Sequence, residues 1–69
     1  MVTMAPMISP IRLLQVRSAQ MLSQQSLAER AGLSVGTVSR IERGLGKPTL
    51  KTIRKLANAL EIEHGVLIE

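Results

Sequence analysis

The stretch from residue 23 to residue 43, SQQSLAERAGLSVGTVSRIER, constrains the fold of this 69-residue chain more than any other segment. Ser23 and Ser34 each precede a run with apolar residues at helical spacing, and serine is a preferred amino-terminal cap of a helix. Between the two runs, Gly32 can take a positive φ at little steric cost. The segment therefore predicts two short helices joined by a tight turn.

The spacing of three residues indicates how closely these two helices pack. Ala28, Gly32 and Val38 lie at positions i, i+4 and i+10. A small residue on the first helix lets the second approach, and a β-branched residue on the second packs back against the first. This pattern is typical of a helix-turn-helix, a motif whose second helix usually lies in the major groove of DNA.

Caps and apolar spacing predict helices along the rest of the chain as well. The full set of predicted helices covers about 10–20, 24–31, 35–43, 50–60 and 62–68, with caps at Ser9, Ser23, Ser34 and Thr49 for the first four. In helix 1 the expected apolar stripe is Leu13, Val16 and Met21, with Leu14 beside them. We therefore predict an all-α, compact five-helix bundle over residues 9–69, as a single domain after a flexible tail at residues 1–8.

Composition narrows the class of partner. Nine Lys and Arg residues against five acidic residues give a formal net charge of +4, and no acidic residue precedes Glu29. A basic surface favours a polyanionic partner, either nucleic acid or an anionic membrane. The absence of any aromatic residue argues against binding nucleic acid by base stacking. Without cysteine, and with His64 as its one histidine, it offers no zinc site, and we expect no metal or cofactor.

Hydropathy argues against a membrane protein. No apolar run approaches the roughly 20 residues that span a bilayer. The first seven residues, MVTMAPM, lack the charged start and the long apolar stretch of a secretory signal. We expect a cytoplasmic protein with no membrane partner.

The second helix of the motif supplies candidate DNA contacts. Residues near the start of a recognition helix reach base edges, and Arg40 is long enough for a bidentate contact to guanine, whereas Val35 offers only apolar contact to a thymine methyl group. Solvated side chains are the alternative interpretation for each arginine. The predicted base contacts are Val35, Gly36, Thr37, Ser39 and Arg40, and the predicted phosphate contacts are Gln24, Gln25, Ser34, Arg43 and Lys47.

Two stretches together resemble the phage repressor/Cro-like helix-turn-helix family. They are LSQQSLAERAGLSVGTVSRIERG at residues 22–44 and KPTLKTIRKLANALEI at residues 47–62. The resemblance implies a lambda-repressor-like domain, with its helix-turn-helix at helices 2 and 3, that binds an operator as a symmetric dimer. It also implies a structural salt bridge between Arg17 and Glu42, which would join helix 1 to helix 3.

The chain departs from the family pattern in its recognition helix and at the end of helix 1. Val35 and Gly36 stand where the family usually has polar residues, which shifts the burden of recognition to Arg40 and to DNA shape. Met21 stands where a glycine commonly ends helix 1.

A dimer needs a second surface, and the carboxy-terminal end offers apolar residues for it. We predict an interface formed by Ile62, Val66 and Ile68, with Leu67 in the core. The alternative is that all of these residues only close a small core.

These observations favour a sequence-specific DNA-binding transcriptional regulator that binds a palindromic operator as a homodimer. The alternative is an antitoxin-type protein, which neutralises a partner protein and autoregulates its operon. A membrane-surface protein fits less well, because the basic residues are spread over several predicted helices. We do not expect an enzyme, since the sequence shows no nucleophile–base pair and no metal constellation.

Overall fold

Four α-helices make up most of the chain in a computed structural model that describes residues 8–68. They are α1 (Pro10–Ala19), α2 (Gln24–Ala31), α3 (Val35–Glu42) and α4 (Leu50–Leu60). Within residues 8–68 there is no strand beyond a single antiparallel bridge between Ile8 and Ile68. The prediction of an all-α domain is confirmed.

Each of the four helices begins at its predicted cap. The hydroxyl oxygens of Ser9, Ser23, Ser34 and Thr49 accept hydrogen bonds from the backbone N–H three residues later, at 3.4, 3.0, 3.1 and 3.2 Å. Each bond satisfies one of the amide groups that have no partner within the helix. The caps therefore fix where each helix starts, independently of the core.

Gly32 produces the turn between α2 and α3. Its φ of 69° is left-handed, a conformation that glycine adopts without steric cost. The N–H of Leu33 donates to the carbonyl of Ala28 at 2.9 Å, which closes the turn. Ala28 itself is buried, so the small side chain is where the two helices need it.

The core is aliphatic and draws on every helix. Its fully buried side chains are Leu13, Leu27, Val38, Ile53, Leu56, Leu60 and Leu67. α2 packs against both α3 and α4, and α1 packs against α3. The two helices of the motif are thus held from behind by α1 and α4, and the outer face of α3 is left open.

The predicted fifth helix over residues 62–68 is only a single 3₁₀ turn, His64–Val66. Glu61 ends α4 with a left-handed φ of 57°, and Glu63 makes no capping hydrogen bond. The N–H groups of Val66 and Leu67 bond to carbonyls three residues back, both at 3.0 Å, which is the tighter 3₁₀ pattern. A seven-residue segment with Gly65 near its centre and no cap does not sustain an α-helix.

The amino-terminal boundary of the domain lies earlier than predicted. Ile8 is only 8% exposed and belongs to the core, and the Ser9 N–H donates to the Leu67 carbonyl at 2.7 Å. Ile8 is therefore part of the folded domain and not of the tail. The rest of the predicted tail, residues 1–7, and Glu69 lie outside the described residues.

Met21 does not join the apolar stripe of helix 1. Its side chain is 92% exposed, and its φ of 57° is left-handed. Its N–H donates to the Ser18 carbonyl at 2.9 Å, just past the end of α1. The prediction for Met21 is wrong because this residue forms the turn, where a left-handed backbone turns the side chain to solvent. A non-glycine residue in this conformation is strained.

Met21→Gly is expected to raise the free energy of unfolding by roughly 0.5–1 kcal/mol. A left-handed backbone costs an L-residue about 1–2 kcal/mol, and glycine avoids this cost. Glycine loses about 0.5–1 kcal/mol more chain entropy on folding, so the net gain is smaller than the full cost. Urea unfolding followed by circular dichroism measures the change. Ala19→Gly, two residues earlier at the end of α1, is the matched control and should destabilise. A Met21→Gly variant less stable than wild type would contradict the strain argument.

Candidate nucleic-acid interface

The outer face of α3 is exposed along its whole length. Val38 and Ile41 point inward, with 0% and 4% exposure. Val35 is 48% exposed, and Gly36 and Arg40 are also exposed, one helical turn apart on the same face. α3 therefore presents an apolar residue, a bare backbone position and a long cation to solvent.

The remaining predicted base contacts lie at the edges of this face. Thr37 and Ser39 are half-buried, and the hydroxyls of Thr37 and Ser34 are 2.8 Å apart. Ser34 also accepts the N–H of Thr37 as the cap of α3. The first role of Ser34 is thus structural, although a hydroxyl can take part in more than one hydrogen bond.

The fold does not require glycine at position 36. A Cβ atom built there would meet only the Ser34 hydroxyl oxygen, at 3.9 Å, which is an ordinary contact. Glycine inside a helix costs about 0.5–1 kcal/mol relative to alanine. Gly36 therefore lowers the stability of α3, and it leaves a flat spot beside Arg40 where another molecule can approach the backbone.

A shallow groove of about 160 Å³ runs from α3 to the start of α4. The loop between them turns at Gly44 and Gly46, which have φ values of 76° and 77°. The polar side chains that line the groove are Thr37, Arg40, Lys47 and Thr52. Two cations and two hydroxyls on one groove form a surface suited to a phosphate backbone.

Sequence reasoning missed Thr52 as a member of this surface. It is half-buried, and its hydroxyl lies 3.2 Å from the hydroxyl of the cap residue Thr49. The available signal was its position in the first turn of α4, where backbone N–H groups favour anions. Its proximity to Arg40 depends on the path of the loop, which the spacing does not reveal.

The ion pair expected between Arg17 and Glu42 is present, and it joins α1 to the end of α3. The Nε of Arg17 donates to Oε2 of Glu42 at 2.6 Å, and its Nη2 donates to Oε1 at 2.9 Å. The third donor, Nη1, bonds to the Leu22 carbonyl at 2.7 Å. The two side chains are only 13% and 4% exposed. Arg17 is thus structural, because all three of its guanidinium nitrogens are engaged inside the domain.

Gln24 extends this network to the start of α2. Its Nε2 donates to Oε1 of Glu42 at 2.9 Å, so one of its two amide protons is used within the domain. The other proton and the amide oxygen are left for a phosphate or water. Gln25 is exposed, with a long contact of 3.5 Å to Glu29.

The network keeps Glu42 ionised. Burial by itself would raise the pKa of Glu42, but hydrogen bonds from Arg17 and Gln24, together with the charge of Arg17, lower this pKa below its ordinary value. The hydrogen bond to Glu42 raises the pKa of Arg17 despite its partial burial. Two opposite charges therefore persist beneath the recognition helix across the ordinary pH range.

The three cationic residues among the predicted DNA contacts are exposed to solvent. Arg40, Arg43 and Lys47 are exposed, and across residues 8–68 the one ion pair is that of Arg17 with Glu42. The same part of the chain contains no cluster of acidic, histidine or cysteine side chains suited to a metal ion. No helix in it is long and apolar enough to cross a membrane.

The residues predicted for a dimer interface differ in exposure. Val66 is 46% exposed, whereas Ile62 and Ile68 are half-buried and pack against the core. A second groove, between α4 and the 3₁₀ turn, adjoins them and is lined in part by Arg54, Ile62 and Glu63. Leu67 is fully buried.

An exposed helix that follows a tight turn, with unpaired cations beside it, defines a helix-turn-helix DNA-binding domain. The sequence pattern of the helix-turn-helix family HTH_3 matches residues 13–67. The chain belongs to this family of DNA-binding transcriptional regulators, which is not a family of enzymes.

Similar proteins agree with this assignment. The restriction-modification controller protein C.AhdI from Aeromonas hydrophila is 42% identical, with a TM-score of 0.81 over 83% of this chain and 86% of that one. An HTH_3 family transcriptional regulator from Vibrio cholerae is 32% identical, with a TM-score of 0.80 over 83% of this chain and 32% of that one. The uncharacterized HTH-type transcriptional regulator y4dL of Sinorhizobium fredii is 43% identical over 47 residues. That match spans 68% of this chain but only 24% of the length of y4dL.

Glu42→Gln is expected to destabilise the domain by about 3 kcal/mol, because it leaves the largely buried guanidinium of Arg17 without a counter-charge. Urea unfolding at pH 7 measures the loss. Glu29→Gln is the matched control, since Glu29 is exposed and should tolerate the same change. Equal effects of the two substitutions would show that the buried pair has no special role.

The same pair predicts how stability depends on pH. Because the folded-state pKa of Glu42 lies below the unfolded value of about 4.3, its stabilisation is complete above that value. It is lost as the pH falls through the folded-state pKa. Between pH 7 and pH 3, the free energy of unfolding should therefore fall less steeply for Glu42→Gln than for wild type or Glu29→Gln.

Proposed function

We propose that this protein regulates transcription by binding a specific DNA sequence, with α3 in the major groove. The observation that carries the proposal is the open face of α3, on which Gly36 and Arg40 are exposed and Arg40 lines a groove together with Lys47 and Thr52. A B-DNA major groove is about 12 Å wide and admits one α-helix. The 42% identity to a restriction-modification controller protein supports a small regulator of this kind.

Base recognition falls to few side chains in this proposal. Arg40 donates two hydrogen bonds to the O6 and N7 atoms of guanine, and Val35 contacts a thymine methyl group. Thr37 and Ser39 supply hydroxyls at the edge of the same face. Gly36, without a side chain, lets the start of α3 sit deep in the groove.

Phosphate contacts flank this reading face. Lys47 and Arg43 are exposed cations at the loop and at the end of α3. Gln24 and Gln25 stand at the start of α2, whose free N–H groups favour a phosphate. Ser34 adds a hydroxyl at the turn. These contacts set the register of the protein on DNA and carry no sequence information themselves.

We further propose that two copies bind the two halves of a palindromic operator. A single short recognition helix contacts few bases, and a two-fold dimer places two such helices about one helical turn of DNA apart. The surface proposed for this contact is Val66, with Ile62 and Ile68 beside it. It lies on the carboxy-terminal segment, outside α2 and α3, so dimer contact and DNA contact use different parts of the chain.

Selection of bound duplexes from a random pool is expected to enrich an inverted repeat. Arg40→Ala should weaken binding to the selected site by roughly 1–3 kcal/mol with much less effect on random DNA, because Arg40 contacts bases. Lys47→Ala should weaken binding to the selected site and to random DNA equally, because Lys47 contacts phosphate. It should also reduce the slope of log K against log salt concentration by about 1. Titrations at two salt concentrations distinguish the two variants.

If Arg40→Ala weakened binding to the selected site and to random DNA equally, Arg40 would not be a base contact. If no motif emerges and binding vanishes at physiological salt, the operator proposal is contradicted and the antitoxin-type alternative is favoured.

Val66→Glu is expected to raise the dimer dissociation constant at least tenfold, because it buries a charge in an apolar contact. Analytical ultracentrifugation of the free protein measures this constant. Leu14→Glu is the matched control, since Leu14 is 40% exposed and lies on α1. A Val66→Glu variant with the wild-type constant would place the interface elsewhere.

A further inference from the structure

Residues at the start of the described chain hold the segment at its end. Ser9 N–H donates to the Leu67 carbonyl at 2.7 Å, and Ile8 forms the antiparallel bridge with Ile68. The guanidinium of Arg12 then donates from Nη1 to the Ile68 carbonyl at 3.1 Å. We refer to this set of contacts, made by Ile8, Ser9 and Arg12 to Leu67 and Ile68, as the terminal clasp.

Past Ile62, the other hydrogen bonds of the carboxy-terminal segment within the described residues run inside the segment itself. α4 ends at Leu60, and the chain beyond it contains a single three-residue 3₁₀ turn whose start has no side-chain cap. The hydrogen bonds of such turns have poor geometry, and they are seldom stable alone. Leu67 is buried, and Ile62 and Ile68 pack against the core, but apolar packing is not directional and does not by itself set the path of the backbone.

Arg12 contributes the directional part of the clasp. Its backbone N–H donates to the hydroxyl of Ser9 at 3.4 Å, and its exposed side chain reaches the carbonyl of Ile68, the last described residue. A hydrogen bond from a charged donor is stronger than a neutral one. Although basic, Arg12 is therefore committed to the carboxy-terminal segment rather than to the groove at α3.

We propose that the terminal clasp positions the carboxy-terminal segment for contact with a second copy of this chain, and that Arg12 is its positioning residue. The inference rests on the proposed dimer surface, because Ile68 belongs to both the clasp and that surface. It adds that residues 8–12, which make no proposed contact with the partner or with DNA, control the affinity of the dimer.

The test compares Arg12→Ala, Arg12→Lys and wild type in the full chain by analytical ultracentrifugation. Arg12→Ala should raise the dimer dissociation constant roughly three- to tenfold, because loss of one charged hydrogen bond loosens the segment. Arg12→Lys, which keeps a cationic donor, should recover part of the affinity. Arg30→Ala removes the same charge from the exposed face of α2 and should leave the constant unchanged.

A second control separates positioning from general stability. Ser23→Ala removes the cap of α2, far along the chain from the clasp, and should lower the melting temperature without changing the dimer constant. If Ser23→Ala weakens the dimer as much as Arg12→Ala, the effect is general and the clasp inference is wrong.

The two remaining outcomes tell the proposals apart. A wild-type dimer that Arg12→Ala leaves unchanged overturns the clasp inference and leaves the proposed dimer intact. A wild-type protein that stays monomeric, both free and on its selected DNA, overturns both.

Discussion

The ion pair between the largely buried side chains of Arg17 and Glu42 is the interaction on which the geometry of α3 depends. α3 has only eight residues, and Val38 and Ile41 are its only buried apolar side chains. Apolar burial is not directional and would leave such a short helix free to rotate or slide. The two parallel bonds from Arg17, with a third from Gln24, fix the end of α3 against α1 and α2. The exposed face of α3 thereby acquires a single orientation.

This arrangement explains why a charged pair occupies a place that apolar residues could fill. Removing two charges from water is costly, and a buried pair often stabilises a protein no more than a well-packed apolar pair would. Here the guanidinium also satisfies the Leu22 carbonyl, so the same side chain fixes the connection between α1 and α2. The benefit is a defined geometry for three elements at once.

Local signals in the sequence were sufficient for most of the fold and insufficient where distant residues meet. The caps and the turn at Gly32 depend on chemistry within four residues, and they lie where predicted. The carboxy-terminal segment lacks a cap, and its position depends on Ile8, about sixty residues earlier, so periodicity alone suggested a helix. At the groove beside α3, the predicted contacts include Arg40 and Lys47 but not Thr52, because the loop and not the spacing brings Thr52 to that groove.

The composition of the recognition helix links the proposed dimer to specificity. Val35 is apolar and Gly36 has no side chain. Among the predicted base contacts, Arg40 alone carries a charged hydrogen-bond donor. Few direct contacts leave much of the discrimination to DNA shape and to the spacing of two half-sites. In the dimer that we propose, that spacing is set by how two protomers meet, and hence by the carboxy-terminal segment and the terminal clasp. Under this proposal, the residues that position the dimer take part in sequence recognition without touching a base.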